Sequence, residues 1–390
     1  MRGVSYVNTK MLRFSVVIAL IALFITMLPV NVYAEFESSA GSAILIEAST
    51  GQVLYEKNSE VDMPPASITK VMTLLLGFEA ISKGTTKWDD LVSVSEKAWR
   101  MEGSKMFLEL GSKVSYRDII MGISIASAND GCIALAEHLY GSESAFVSAM
   151  NQRAKELGLT NSTFKNSTGL PEEGHRLTAK DIATLSRYLI QKYPEILEIE
   201  SKKEFTFNNI RQFNRNPLLG VFEGADGLKT GWTEEAGYCL AATAKQNGIR
   251  LISVVLNTKN EKERQTASQE LLTYGFKNFK LLEYKKAGDI VDSLNVKNGK
   301  KASVPIKLDS DIKVFVPVSR EKDLQTVISK DSQNINAPVS ADVSAGKLEV
   351  KLDGITLGSS ILSTTENIEK SGFFHWLFGG FRNLFSFLWK

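Results

Sequence analysis

The sequence predicts a mixed α/β domain, followed by a small all-β domain and closed by an amphipathic helix. Three observations predict it. Strand-like runs flank a long, mainly helical stretch between Ser42 and Tyr274. From residue 284 to 364, helical spacing gives way to short runs that alternate apolar and polar residues. The last stretch, 371–390, gathers its apolar residues on one broad helical face.

Residues 1–34 come first and read as a secretory signal. A basic stretch ends at Arg13, an apolar run covers Phe14 to Leu28, Pro29 breaks it, and Val32-Tyr33-Ala34 offers a small-residue cleavage site. The run is short for a spanning helix, which needs roughly 20 residues; a retained N-terminal anchor is the alternative. Ala43-Ile44-Leu45-Ile46 and Val53-Leu54-Tyr55 then flank a Ser-Thr-Gly turn at 49–51, which predicts a hairpin. Pro64 and Pro65 punctuate the chain ahead of a helix expected from Ser67 to Ile81, ending before Gly84.

Apolar spacing predicts further helices over Ile119–Leu139 and Ala145–Leu157. Thr178 with Asp181 has the pattern of a capping box ahead of Ile182–Ile190. Strand signals return after Lys202. Gly237–Lys245 and Ile249–Asn257 read as neighbouring strands joined by Gln246-Asn247-Gly248, with a closing helix over Glu261–Tyr274. The tail alternates, as in Ile312-Lys313-Val314-Phe315-Val316, so each strand buries one face, as in a small β-sandwich. The domains are expected at 35–282 and 283–366. In 371–390, aromatic and leucine residues such as Phe374, Trp376, Phe385 and Trp389 oppose a narrow face with His375, Arg382 and Lys390. Arg382 interrupts any spanning helix, so the segment is expected to lie along a membrane surface; docking on the protein itself is the alternative.

Composition excludes little and supports less. The 390-residue chain has a net charge of +2, and Arg2, Lys10 and Arg13 lie in the expected signal, which leaves the remainder near −1. A dedicated nucleic-acid binder would carry a strong basic excess. Cys132 and Cys239 are the two cysteines, too few for a disulfide framework, and read as buried thiols. Neither has a histidine close in sequence, so no metal site is expected.

Chemistry enters at Ser67-Ile68-Thr69-Lys70. A serine hydroxyl is a weak nucleophile that needs a base, and positions i and i+3 share a helix face. The helix N-terminus and burial both favour a neutral lysine amine, which accepts the serine proton. Alone, the pair arises by chance in many chains, where it is an N-capping serine with a solvated lysine. Ser127-Ala128-Asn129 and Lys229-Thr230-Gly231 follow in order. Together the three sets form the signature of serine β-lactamases and penicillin-binding proteins.

The sequence resembles a low-molecular-mass penicillin-binding protein of the D-alanyl-D-alanine carboxypeptidase family. Pro65-Ala66-Ser67-Ile68-Thr69-Lys70, Ser127-Ala128-Asn129-Asp130, Asn214-Arg215-Asn216 and Asp226-Gly227-Leu228-Lys229-Thr230-Gly231 carry the resemblance, which spans roughly Ser42 to Phe276 and extends to the β-rich tail. It implies an α/β serine DD-peptidase domain with helices around an antiparallel sheet and a largely helical insert. By the same implication, Ser67 attacks the penultimate D-alanine carbonyl of peptidoglycan stem peptides and Lys70 is its base. Ser127 relays a proton, and Asn129 orients Lys70 or binds a substrate amide. Lys229, Thr230 and Gly231 form the cleft wall that holds the terminal carboxylate, with Arg215 as a second carboxylate ligand and Arg264 as a weaker one. Backbone N–H groups of Ser67 and Trp232 form the oxyanion hole. The resemblance calls for no cofactor and makes β-lactams covalent inhibitors; the expected signal and the amphipathic tail place the active site above the outer face of the cytoplasmic membrane. A β-lactamase shares fold and motifs, and Glu172 and Glu173 lie where a water-activating glutamate is available. Their context resembles the carboxypeptidases better. A non-enzymatic β-lactam sensor would need spanning helices and a cytoplasmic domain, for which residues 1–34 are too few.

Overall fold

A computed structural model describes residues 36–372. The expected signal, and the amphipathic helix from residue 373 on, lie outside the described residues.

Five antiparallel strands form the central sheet: β1 (Ser42–Glu47), β2 (Val53–Lys57), β3 (Ala225–Thr233), β4 (Gly237–Gln246) and β5 (Ile249–Thr258). Their order is β2-β1-β5-β4-β3. All six residues of β1 are buried, so no apolar/polar alternation is visible there. The cause is cover on both faces. Ile44, Ile46, Ile252 and Val254 belong to the core shared with the helical part. Leu45 and Leu251 face the C-terminal helix of the domain, Glu261–Asn278, whose buried residues Arg264, Ala267, Ser268, Leu271, Leu272 and Gly275 form one helical stripe. A Cβ on Gly275 would stand 2.5 Å from Leu251 Cδ1 and 2.8 Å from Leu45 Cδ2, so a larger residue would have to displace these leucine methyls from between helix and sheet. The expected β4–β5 hairpin forms. Gln246 pairs with Ile249, and Asn247 and Gly248 both have positive φ (49° and 81°), the two-residue turn that matches strand twist.

The helical part differs from expectation in two places that matter for function. Ser67 does not start an α-helix. It sits in a 3-10 turn, Ala66–Thr69, and α1 runs from Lys70 to Ser82. Nor is Ile119–Leu139 one helix. A short helix, Tyr116–Met121, widens into a π-turn over Gly122–Ala126, Ser127 adopts a left-handed conformation (φ 58°, ψ 38°), and α2 begins at Asn129 and ends at Tyr140. α3 (Glu143–Glu156) and α4 (Ala179–Lys192) follow. At the start of α4, Thr178 Oγ1 accepts from the Asp181 N–H at 3.0 Å. Asp181 does not return the bond; its carboxylate accepts from Asn161 N and Ser162 Oγ.

The tail begins with Phe279–Lys285, which pairs with Ile312–Pro317. A six-stranded sheet packs with this pair around one core that includes Val304, Ile306, Val314, Leu348 and Leu362. Gln52 joins tail to sheet: its Nε2 donates to Phe315 O at 2.7 Å and its Oε1 accepts from Phe315 N at 3.2 Å. Isolated bridges Val339–Ile368 and Gly299–Lys370 carry the tail fold to the end of the described residues.

Candidate active site

The three motifs meet in one cleft of about 690 Å³. Ser67, Ser104, Ser127, Asn129, Leu170, Arg215, Thr230, Gly231, Trp232 and Arg264 are among its lining residues. Each motif arrives by a different device. The serine turn opens on Ala66, held at φ 47°, a left-handed conformation that is strained for an L-residue with a Cβ. β3 comes alongside it because position 231 is glycine: a Cβ there would stand 3.1 Å from Ser67 N and from Pro65 O. From the other side, the 166–170 loop presses on the turn. A Cβ on Gly169 (φ +85°) would lie 1.8 Å from Ala66 O, so no other residue fits.

Lys70 is completely buried. Its Nζ lies 2.9 Å from Ser67 Oγ, 2.8 Å from Asn129 Oδ1 and 2.6 Å from Thr168 O. Burial pushes its amine down to about 8; the Arg215 charge adds to this, and buried Cys132 and Asp130 oppose it. Thr168 was silent in the sequence because a backbone carbonyl does the work. Its only local sign is Asn166, whose Oδ1 accepts from Thr168 N, Thr168 Oγ1 and Gly169 N and so folds the loop.

Asn129 holds two things at once. Its Oδ1 accepts from Lys70, and its Nδ2 donates to Glu102 O at 2.7 Å. Asp130 continues the tie, accepting from Met106 N, Leu108 N and Gly131 N. The 102–108 loop is thereby fixed as the outer wall, and Arg215 Nη1 reaches it at Ser104 Oγ, 2.8 Å. Ser127 Oγ is buried without a partner, on a residue that lines the cleft.

Lys229 lies behind the cleft wall, only 3% exposed, with its Nζ donating to Thr230 O at 3.1 Å. Thr230, Gly231 and Trp232 form the wall itself. Trp232 is half exposed and leans on Tyr238, ring centroids 5.9 Å apart. Arg264 reaches the cleft from the Glu261–Asn278 helix, under the Tyr238 ring. Glu172 and Glu173 are exposed and do not line the cleft; Glu172 Oε2 accepts from Asn166 Nδ2. His175 is structural, packed on Phe164 and 3.0 Å from Thr69 Oγ1. Cys132 and Cys239 are buried free thiols.

With this geometry in hand, likeness to known proteins becomes informative. The family model described as D-alanyl-D-alanine carboxypeptidase matches residues 30–260. The chain belongs to the D-alanyl-D-alanine carboxypeptidase family. A second model, the C-terminal domain of penicillin-binding protein 5, matches residues 276–370. Among curated carboxypeptidases, DacF of Bacillus subtilis is 39% identical over 88% of this chain and 90% of its own length. Penicillin-binding protein 5 of Haemophilus influenzae superposes with a TM-score of 0.78 at 33% identity, covering 86% of this chain and 99% of that one. Penicillin-binding protein D2 of Listeria monocytogenes, solved in an ampicillin-bound form, is 35% identical over 62% of this chain and 99% of its own, with a TM-score of 0.58. This carboxypeptidase is thus a serine peptidase with an α/β penicillin-binding domain and an all-β C-terminal domain.

Proposed function

We propose that the cleft removes the terminal D-alanine from peptidoglycan stem peptides through an acyl-enzyme on Ser67. The observation that carries this reading is the set of contacts around Lys70. A neutral amine has two hydrogens and one lone pair. Asn129 Oδ1 and Thr168 O accept the two hydrogens, so the lone pair turns to Ser67 Oγ at 2.9 Å.

The Ser67 proton passes to Lys70 Nζ as Oγ bonds to the carbonyl carbon. The oxyanion is received by the backbone N–H groups of Ser67 and Trp232, and each such donor typically contributes about 3 kcal/mol. The C–N bond then breaks. The departing amine of D-alanine takes its proton by way of Ser127. Water attacks the ester with Lys70 again as base, releasing the shortened peptide and restoring Ser67. Arg215 and the positive potential of Lys229 hold the terminal carboxylate, with Thr230 and Gly231 as the wall beside it. β-Lactams present an amide and a carboxylate to the same groups and acylate Ser67; the ampicillin-bound Listeria relative supports this.

In this reading residues 1–34 export the protein. The 371–390 segment then keeps the active site above the outer face of the cytoplasmic membrane. Cutting the chain after Gly372 is expected to release it from membranes, and tight association after that cut would overturn the tether.

The central test uses residues 36–372 and a peptide ending in D-Ala-D-Ala, with released D-alanine measured. Ser67→Ala is expected to lose activity by about six orders of magnitude. Wild-type rates in that variant would sink the assignment. Rapid turnover of benzylpenicillin would move the reading to a β-lactamase.

A further inference from the structure

Four cationic groups gather at the cleft: Arg215 from the segment ahead of β3 and Arg264 from the Glu261–Asn278 helix line it, while Lys70 from α1 and Lys229 from β3 are buried behind it. Lys229 is buried, and it has to be cationic to attract a carboxylate. Burial works against that, and Lys70 and then Arg215 repel its charge further; Glu200, and more weakly Cys132 on α2, act the other way. Among the described residues, Glu200 is thus the acid that acts on Lys229.

Glu200 ends a short helix, Ile196–Glu200, that packs against β3 at Gly227. A Cβ on Gly227 would stand 3.4 Å from Leu197 Cδ2 and 3.6 Å from Glu200 Cβ, ordinary van der Waals distances, so this helix lies directly against the strand. Glu200 is 0% exposed, and neither carboxylate oxygen has a hydrogen-bond partner. Its polar neighbour is Ser124 of the π-turn, whose buried hydroxyl is near enough to favour the carboxylate but is not aligned in a full hydrogen bond with it. A buried carboxylate without hydrogen bonds is costly unless an opposite charge compensates it. Packing alone would be served by an apolar side chain. The compensating charge is Lys229: burial pushes the Glu200 carboxyl up, and Lys229 first, then the Ser124 hydroxyl, draws it back down.

We infer that Glu200 is a positioning residue for the reaction: as the buried counter-charge behind β3, it keeps Lys229 protonated and so keeps the substrate carboxylate held as pH rises. This rests on the carboxypeptidase reading above. Glu200 touches neither substrate nor Ser67; it acts through Lys229. Its effect therefore falls on substrate binding more than on the chemical step.

The test compares the detergent-solubilised full chain with its Glu200→Gln variant, measuring KM and kcat for a D-Ala-D-Ala peptide from pH 6 to 10. Glutamine keeps the shape and removes the charge. Lys229 then loses its proton at lower pH, and the rise of KM at high pH is expected to move down by about one pH unit. Glu200→Asp restores a carboxylate and is expected to return the profile towards that of the wild type. An unchanged KM profile in a folded Glu200→Gln variant overturns the inference. If that variant fails to fold, the pH titration of Lys229 in the wild-type chain, followed by NMR of ε-13C-lysine, decides: a Lys229 titration whose shift tracks no second group overturns it. A Ser67→Ala control separates the two readings. Residual wild-type turnover there defeats the serine mechanism, whereas loss of turnover there with an unmoved KM profile defeats only the role of Glu200.

Discussion

Lys70 has to be unprotonated to accept the Ser67 proton, and burial brings its amine to about 8. The active form of the base therefore grows as pH rises through that value. Acylation of Ser67 by a β-lactam is expected to accelerate about tenfold per pH unit below 8 and to level off above it; stopped-flow acylation rates from pH 5.5 to 9.5 check this, and a flat profile would count against Lys70 as base. His175 makes a separate pH prediction for stability. Burial, then the Arg176 and Lys165 charges, lower its ring from 6.5 to about 4 in the folded state. The neutral ring is thus favoured in the fold. Its contribution is fully present above pH 6.5 and is lost as pH falls towards 4, up to about 3 kcal/mol. Melting temperatures of the wild type and His175→Gln between pH 7 and 4.5 are expected to converge on the acid side.

At the scale of elements, the site is made by close approach between the serine turn, β3 and the 166–170 loop. Gly231→Ala adds a Cβ 3.1 Å from Ser67 N and Pro65 O, and must push strand and turn apart by a few tenths of an ångström. Misplacement on this scale costs up to about 10²-fold in rate, and the expected signature is a fall in kcat with little change in melting temperature. The same elements explain what the sequence revealed. Ser67, Lys70, Ser127, Asn129 and Lys229-Thr230-Gly231 were legible because their chemistry lies in side chains at fixed spacings. Thr168 was not, since its contribution is a carbonyl. Glu200 was not, since nothing near it in sequence marks a residue that meets β3 only in the fold. The Ile119–Leu139 pattern was helical throughout, yet the chain widens at Gly122–Ala126 and turns left-handed at Ser127. Apolar spacing continues across such a π-turn and so conceals it.

At the scale of the whole molecule, the tail domain ends later than its alternating strands suggest. Ile368 is 2% exposed in the tail core, and Ser371 N donates to Asn298 O at 2.8 Å. A chain ending at residue 364 is expected to lose about 2–5 kcal/mol of tail stability, the range for deleting a buried isoleucine side chain. One ending at 372 is expected to retain it. Chemical denaturation of the two chains, followed through tail-specific probes, measures the difference. The Gln52–Phe315 pair of hydrogen bonds couples this stability to the catalytic sheet.

The order β2-β1-β5-β4-β3 leaves β3 with a strand on one side only, and Thr230 to Thr233 line the cleft along that side. Sheets generally blunt or cover such a rim because its unpaired amides invite any extended chain. Under the proposed function, an extended stem peptide lying there would be read through its main chain, which every stem shares, and discrimination would fall on the last residue, where the cations wait.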